Sequence, residues 1–242
     1  MKVNLTCVML VLDSVPNSDI RKKDVKSVKL LTRCVDNALP AVIATTDCDI
    51  KEQIRKLLVS ELGTDVFHLE QVYTLGDKKF MSDDTVDVIY LGIINMSYVQ
   101  NKSSEYQLQD VMIANNCIKF GDTVYKYQTV EKETSRSIEY FHDIDTDDIV
   151  QEKKLLELLI AWKHLRYRIG IADILFKFLP SEFSLNDVMD VYKIISQKNI
   201  DKSNFRKSII KYCVEIPNKM SYGGYRPCKM YKFQTVKNDK WI

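Results

Sequence analysis

The chain has 242 residues, of which 45% are hydrophobic and 28% are charged. This balance excludes wholesale disorder and fibrous repeats and allows one or two globular domains. No segment has the roughly 18 consecutive apolar residues of a membrane helix, so we expect no membrane partner. The net charge of +2 means that any surface binding a polyanion must be local.

The first part of the chain alternates strand-like runs with turns. Val, Ile, Leu and Tyr are concentrated in six runs, which we predict as strands: 3–15, 27–33, 66–75, 85–95, 116–120 and 123–130. Between the second and third runs, apolar residues recur at helical spacing over 49–62, and Gly63 follows as a helix-terminating residue. The pattern predicts an α+β fold in which a mixed sheet carries a helix inserted between its strands.

The character of the sequence changes after an acidic stretch at 143–148. Residues 149–168 read as one long helix with an apolar face. Ser184 begins a second helix with Asp187 as its capping-box partner, and Asp201 begins a third that runs to Tyr212. These signals predict three successive helices.

A hairpin is predicted after Pro217. Its turn lies near Gly223 and Gly224, and its return strand covers 228–233. The order helix, helix, helix, hairpin is typical of a winged helix-turn-helix domain. Residues 180–242 also carry a net charge of +6 against −4 for the remainder, and a basic end of this kind suits sequence-independent attraction to phosphate.

The third helix places its short polar and cationic residues away from its apolar face. Arg can address guanine, Asn can pair with adenine, and Lys and Ser can hold phosphate. The candidate DNA-binding residues are Lys202, Ser203, Asn204, Arg206 and Lys207 on the helix, with Tyr222, Arg226 and Lys229 on the hairpin. The alternative is that a lysine-rich helix merely presents a solvated face.

A stretch near the N-terminus, ALPAVIATTDCDIKEQIRKLLVSELG at 38–63, resembles a Nudix box. Counting back from Gly63 puts Lys56 at the family's Arg position, while Leu57 and Ser60 replace two of its Glu residues and Glu61 keeps another. Nudix hydrolysis needs several carboxylates on one helix turn to hold Mg²⁺. The resemblance therefore implies a vestigial box, no catalytic residues, no metal and no cofactor. The alternative is that the stretch is only an amphipathic helix.

Four further segments are similar to Nudix-related transcriptional regulators of the NAD-related and arabinose-responsive kind. They are LEQVYTLGD at 69–77, DTVDVIYLGII at 84–94, DKSNFRKSIIKY at 201–212 and GYRPCKMYKF at 224–233. The resemblance implies a Nudix-like effector-sensing domain at 1–145, followed at 146–242 by a linker helix and a winged-helix DNA-binding domain. It also implies a cytoplasmic homodimer that represses transcription by binding double-stranded DNA. The expected effector is a small molecule such as an ADP-ribose-like nucleotide or a sugar derivative.

Three residues are candidates for effector binding. Arg33 ends the strand that enters the box and would clamp an anion, while Tyr73 and Tyr90 would stack a base or sugar. Each is equally compatible with ordinary strand packing. Two other functions stay open: an active Mg-dependent Nudix pyrophosphohydrolase with a basic accessory domain, and a winged helix that binds protein.

Overall fold

The computed structural model describes residues 2–15, 24–76, 79–80, 85–133, 138–170, 173–221 and 227–234. No helix within these ranges has both the length and the apolar character needed to cross a lipid bilayer. Nine strands form one sheet: β1 (Lys2–Val15), β2 (Val25–Arg33), β3 (Ala41–Ile43), β4 (His68–Leu75), β5 (Thr85–Asn95), β6 (Tyr106–Ala114), β7 (Cys117–Phe120), β8 (Thr123–Glu133) and β9 (Ile138–Ile144).

The sheet is mixed. Its order is β4-β5-β1-β2-β6-β7-β8-β9, with β3 pairing beside β2 on β1. The β1–β5 pair is parallel, and every other described pair is antiparallel. The predicted mixed sheet with an inserted helix is confirmed.

Strand β1 lies at the centre of the core. Its residues from Leu5 to Leu12 are all buried, because both faces of the sheet are covered. Cys7, Met9 and their odd-numbered neighbours pack towards one apolar cluster, and Leu10 and Leu12 pack towards another. Two layers of helix therefore enclose the sheet.

Helix α1 (Ile50–Leu62) covers the first face. The Asp49 side chain accepts from the Lys51 amide at its start, and Gly63 ends it with φ 67°. Ile54, Leu58 and Leu62 are fully buried against the odd-numbered side of β1. The predicted beginning, end and buried face of this helix are thus present.

Helix α2 (Ile149–Arg168) covers the opposite face, with Asp148 capping its first turn. It packs against β1, β4, β5 and β9 of the sheet as well as against the C-terminal helix at 185–196. The predicted order of helix, helix, helix and hairpin counts this helix with the winged helix, and the predicted domain division makes it a linker helix. Its buried residues lie on several sides because it is wedged between two layers, and even Glu152, Lys154 and Glu157 are nearly inaccessible.

The C-terminal part begins with a short helix, α3 (Asp173–Phe176), which the sequence did not predict. It is followed by α4 (Leu185–Ser196) and α5 (Lys202–Ile209), and residues 210–212 continue as a 3-10 turn. Ser184 and Asp187 form the predicted capping box, and the Asp201 side chain accepts from the Asn204 amide.

Strands β10 (Cys213–Ser221) and β11 (Cys228–Phe233) complete it as an antiparallel hairpin. Strand β10 starts before Pro217 rather than after it, and the register shifts between Glu215 and Met220. Proline has no amide hydrogen to donate to the ladder, so an irregularity around it is expected. The predicted turn at Gly223 and Gly224 lies outside the described residues.

Several side chains join the sheet to the C-terminal part. Asn95 Nδ2 donates to the Phe178 carbonyl at 2.8 Å. Arg166 donates to the carbonyls of Ile113 and Ile195 at 2.9 and 3.0 Å. The two parts are therefore connected by specific polar contacts as well as by α2. The division at 145/146 stays a prediction.

Candidate nucleic-acid interface and effector cavities

The outer face of α5 is polar and open. Lys202, Ser203 and Asn204 in its first turn are exposed, as are Arg206 and Lys207 one turn later. A helix can contact the base edges of DNA only if its polar groups reach beyond the domain surface. The structure thus leaves all five helical candidates accessible.

The inner face explains this orientation. Ile209 is 4% exposed and Phe205 packs against the same core. The Phe205 ring lies 5.1 Å from the ring of Tyr192 on α4, centroid to centroid. Two apolar residues at helical spacing fix the rotation of α5 about its axis, so its polar residues point outwards.

Arg206 has a fixed partner that the sequence analysis missed. Its guanidinium donates to Asn186 Oδ1 on α4 at 2.8 Å, and Asn186 Nδ2 donates to Cys228 Sγ on β11 at 3.4 Å. The three residues connect α4, α5 and the hairpin. They are far apart in the chain, and no local pattern in the sequence marks Asn186.

Of the three hairpin candidates, one can be placed. Lys229 is exposed, and its ammonium group lies 2.8 Å from Glu215 Oε1 across the hairpin. The hydrogen bond and charge of Glu215 raise the pKa of Lys229, so it is a cation at neutral pH. Tyr222 and Arg226 lie outside the described residues.

The helix that resembles a Nudix box offers little to a metal ion. Lys56 is exposed, with Nζ 3.8 Å from Cys48 Sγ, whereas Glu61 is half-buried with Oε2 buried and without a hydrogen-bond partner among the described residues. The other carboxylate on α1 is Glu52, which lies about 13 Å away along the helix axis at 1.5 Å per residue. Within the described ranges, no three His, Cys, Asp or Glu side chains converge into a metal-binding group. These residues do not fit the Mg²⁺ of a working Nudix site.

Two of the effector candidates are engaged within the protein. Arg33 is held by Asp36, whose Oδ1 accepts from Nε at 2.9 Å. Tyr90 is 2% exposed and packs in the cluster beneath α1, and burial raises the pKa of its hydroxyl. Tyr90 is therefore a core residue, and its predicted stacking on a ligand was wrong because its ring is inaccessible.

Tyr73 lies on the other face of the sheet and is 50% exposed. It lines a cavity of about 770 Å³ between β4, β9 and α2, together with Phe80, His142, Asp143 and Glu152. The structure therefore does not bring Tyr73 and Tyr90 together into one site. Tyr73 remains a candidate through this cavity.

A second cavity, of about 630 Å³, lies where the sheet meets α4. Its lining includes Lys26, Lys29, Lys119 and Lys193. No local pattern in the sequence marks these lysines, since they come from three distant segments that only the fold brings together.

Comparison with known proteins found a matching domain family and a similar repressor. Residues 175–233 match the family described as the NrtR DNA-binding winged helix domain. An ADPR responsive transcriptional repressor NtrR from Acinetobacter baylyi is 24% identical over 181 residues, which are 74% of this chain and 61% of the relative. The matched part thus spans less than two thirds of that relative's length.

Two solved structures share the fold across almost the whole chain. A MutT/nudix family protein from Enterococcus faecalis is 14% identical with a TM-score of 0.62, covering 97% of this chain and 88% of the other. Shewanella oneidensis NrtR complexed with a 27mer DNA is 14% identical with a TM-score of 0.61, covering 96% and 93%. The resemblance to Nudix-related regulators is thereby confirmed: the chain has a Nudix-like mixed sheet followed by a winged helix domain that matches the NrtR DNA-binding family.

Proposed function

We propose that this protein is a transcriptional repressor whose winged helix binds double-stranded DNA and whose Nudix-like domain senses an ADP-ribose-like nucleotide or sugar derivative. One observation carries the DNA-binding part. The polar face of α5, with Arg206 and Lys207 at its centre, is fully open in a domain that matches the NrtR DNA-binding family.

Lys202, Ser203, Asn204, Arg206 and Lys207 would face the DNA groove, and Tyr222, Arg226 and Lys229 would hold the DNA backbone beside it. Arg206 is the strongest candidate for reading a base, because Asn186 already fixes its direction and a rigid guanidinium can contact guanine with two donors. The lysines supply charge without sequence preference.

The effector class rests on the relative, which is described as responsive to ADPR. A ligand that prefers one arrangement of the two parts of the chain weakens DNA binding by its differential affinity for that arrangement. The polar contacts between the sheet and the C-terminal part offer a route for this coupling.

We further propose that the protein does not hydrolyse its effector and needs no metal or other cofactor. The wide separation of Glu52 and Glu61 on α1 supports this, as does the description of the relative as a repressor. A sensor must also retain the molecule that it detects. The test is ADP-ribose hydrolysis with Mg²⁺: turnover that Glu61→Gln abolishes would support an active pyrophosphohydrolase instead.

We expect the protein to be cytoplasmic. We expect the form that binds DNA to be a homodimer, because two recognition helices about 34 Å apart fit successive major grooves of an operator. Light scattering after size-exclusion chromatography measures this directly.

The function as a whole is tested by selecting a binding sequence from a random pool of duplex DNA. We expect a selected duplex to bind with strong salt dependence and to be released when ADP-ribose is added. Failure to enrich any sequence, with only salt-insensitive binding, would favour a winged helix that binds protein.

A further inference from the structure

Four polar side chains meet where the edge of the sheet touches the end of α2. Glu70 on β4 accepts a hydrogen bond of 3.0 Å from the Arg168 guanidinium through Oε2, and its Oε1 lies 3.1 Å from Nε2 of His164. Nε2 of His68, also on β4, lies 3.2 Å from the oxygen that Arg168 contacts. One carboxylate therefore contacts three side chains that are cations or can become cations.

This cluster joins the sheet to the C-terminal part of the chain. Strand β4 lies at the edge of the sheet, and α2 packs against it. Arg168 is the last residue of α2, and its guanidinium lies 3.8 Å from Asp173 at the start of α3. Helix α3 packs against α4, and α4 packs against α5. A change in the cluster can therefore reach the helix proposed to bind DNA through elements that touch in succession.

The hydrogen bonding of the cluster is incomplete. Nε2 of His68, Nε of Arg168 and Oδ1 of Asp173 are buried, and none of them has a hydrogen-bond partner among the described residues. A buried polar atom without a hydrogen bond destabilises the arrangement that buries it. The closed cluster is thus held less firmly than its ion pairs alone would suggest.

The charges of the cluster at neutral pH follow from its surroundings. Burial raises the pKa of Glu70, but the charges of His68 and Arg168 and hydrogen bonds from both histidines leave that pKa below its usual value. Glu70 is therefore an ionised carboxylate. Because such a carboxylate only accepts hydrogen bonds, His164 donates from Nε2.

His68 is the side chain of the cluster that resists protonation. Burial lowers the pKa of its imidazole, Lys177 and Arg168 lower it further, and Glu70 offsets these effects only in part. The side chain is nevertheless 22% exposed and lines a cavity of about 340 Å³ together with Asp65, Tyr98 and Lys177. Ile93, its pairing partner on β5, does not titrate. Solvent therefore has access to the ring.

We propose that His68, Glu70, His164 and Arg168 form an acid-sensitive latch, in which protonation of His68 separates β4 from the end of α2 and weakens DNA binding. The effect on DNA rests on the proposed function. The opening of the latch is a property of the chain by itself.

The direction of the effect follows from proton linkage. His68 binds its proton more weakly in the closed cluster than in water, so protonation favours the open form. The closed form has its full stability above about pH 6.5, the ordinary pKa of histidine. It loses stability as the pH falls below that value.

The DNA-binding domain gives no reason to expect weaker binding in acid. The three histidines of the chain are His68, His142 and His164, so none lies in the domain at 175–233. Protonation of carboxylates in that domain would make it more positive and strengthen its attraction to phosphate. Weaker DNA binding in acid would therefore have to originate elsewhere in the chain.

The experiment follows the binding of a selected duplex by fluorescence anisotropy at constant salt, between about pH 7.5 and 5.5, where histidine titrates. The wild type should lose affinity at least about fivefold, the lower end of typical coupling between two sites. His68→Gln cannot take up the proton and should keep its affinity. The matched control is His142→Gln, on β9 beside Lys163, which should lose affinity as the wild type does. An equal loss in His68→Gln and the wild type would overturn the latch.

A second measurement uses the wild type alone, so it does not depend on the folding of a variant. Amide hydrogen exchange, corrected for its intrinsic dependence on pH, should show that β4 and α3 lose protection in acid. Helix α1, on the other face of the sheet, should keep its protection. Equal loss of protection in α1 would indicate unfolding of the whole chain and would contradict a local latch.

The outcomes separate the latch from the function on which its effect rests. If the chain binds DNA tightly and equally at both ends of the pH range, the proposed function stands and the latch is wrong. If the chain binds no duplex even at neutral pH, the proposed function fails. Hydrogen exchange then still decides whether the cluster opens in acid.

Discussion

The amide oxygen of Asn186 on α4 accepts a hydrogen bond of 2.8 Å from the guanidinium of Arg206 on α5. This contact fixes a long, flexible side chain on the face proposed to meet DNA. Ordering such a side chain in advance removes part of the entropy that binding would otherwise cost.

We predict that Asn186→Ala weakens operator binding by a smaller factor than Arg206→Ala. A bidentate arginine contact to a base contributes about 1–3 kcal/mol, and only its ordering is lost when Asn186 is removed. The measurement is a double-mutant cycle by fluorescence anisotropy. In the Arg206→Ala background, Asn186→Ala should have almost no further effect, and full additivity of the two losses would contradict a positioning role.

The lowered pKa of Asp187 predicts that the free energy of unfolding decreases in acid. Burial raises the pKa of its carboxyl, but the charge of Lys26 and hydrogen bonds from Lys26 and Ser184 outweigh burial and leave the pKa below its usual value. Because the folded state binds the proton more weakly, this stabilisation is present at neutral pH and is lost as the pH falls below about 4. Asp187→Asn should therefore destabilise the chain at pH 7 by about 1 kcal/mol, the net contribution of one hydrogen bond. In urea titrations the difference from wild type should shrink in acid, and a constant difference would contradict this origin.

The raised pKa of Glu157 predicts the opposite trend, a free energy of unfolding that decreases as the pH rises. Burial beneath the sheet raises the pKa of its carboxyl to about 8, with Lys153 lowering it and Asp87 raising it further. The folded chain holds this proton more tightly than the unfolded chain, so stability falls as the pH rises from about 4.5 to about 8. Glu157→Gln keeps the shape of the neutral acid and should flatten that decline in urea titrations. An unchanged pH profile would show that Glu157 does not hold its proton.

The backbone at the end of α1 requires glycine at position 63, apart from the resemblance of this segment to a Nudix box. Its φ is 67°, and a Cβ at this position would lie 2.8 Å from the backbone nitrogen of Asn101. Gly63→Ala should cost at least about 1–2 kcal/mol of stability, because an L-residue is strained in this conformation. Thermal unfolding measures it, with Gly76→Ala as the control, since a Cβ there would meet no atom within 4 Å among the described residues beyond its chain neighbours. Equal effects of the two variants would contradict the argument.

The sequence was most informative where a single element carries its own signals. Helix α1 has a capping aspartate, apolar residues at helical spacing and a terminating glycine, so its bounds and buried face could be predicted. The same holds for α4 with its capping box and for the outward face of α5. These signals are local and do not depend on distant partners.

Elements whose stability comes from distant residues could not be predicted. Strand β6 was not among the predicted strands, and its Gln107 and Gln109 both donate to Asn37 Oδ1 in the loop after β2. Strand β9, which was not predicted either, ends in the acidic stretch at 143–148 and is held by pairing with β8. The short strand β3 and helix α3 were missed because neither is long enough to show a period.

The residues of the candidate sites also fall into those that local sequence signals predict and those that depend on distant parts of the chain. The polar face of α5 follows from helical periodicity, whereas Tyr90 was misassigned because its burial depends on α1 packing over it. The cavity of about 630 Å³ between the sheet and α4 could not be found in the sequence, since its lining comes from the ends of β1 and β2, from β6 and β7, and from α4.

The central claim, that the lysines of α5 hold DNA phosphates, is tested most directly by the salt dependence of operator binding. The measurement compares the slope of log K against log salt for the wild type and for the combined variant Lys202→Ala, Lys207→Ala. Each lost phosphate contact should make the slope shallower by about 0.9, so we predict a reduction of about 2 with weaker binding. A folded variant with the slope and affinity of the wild type would contradict the account.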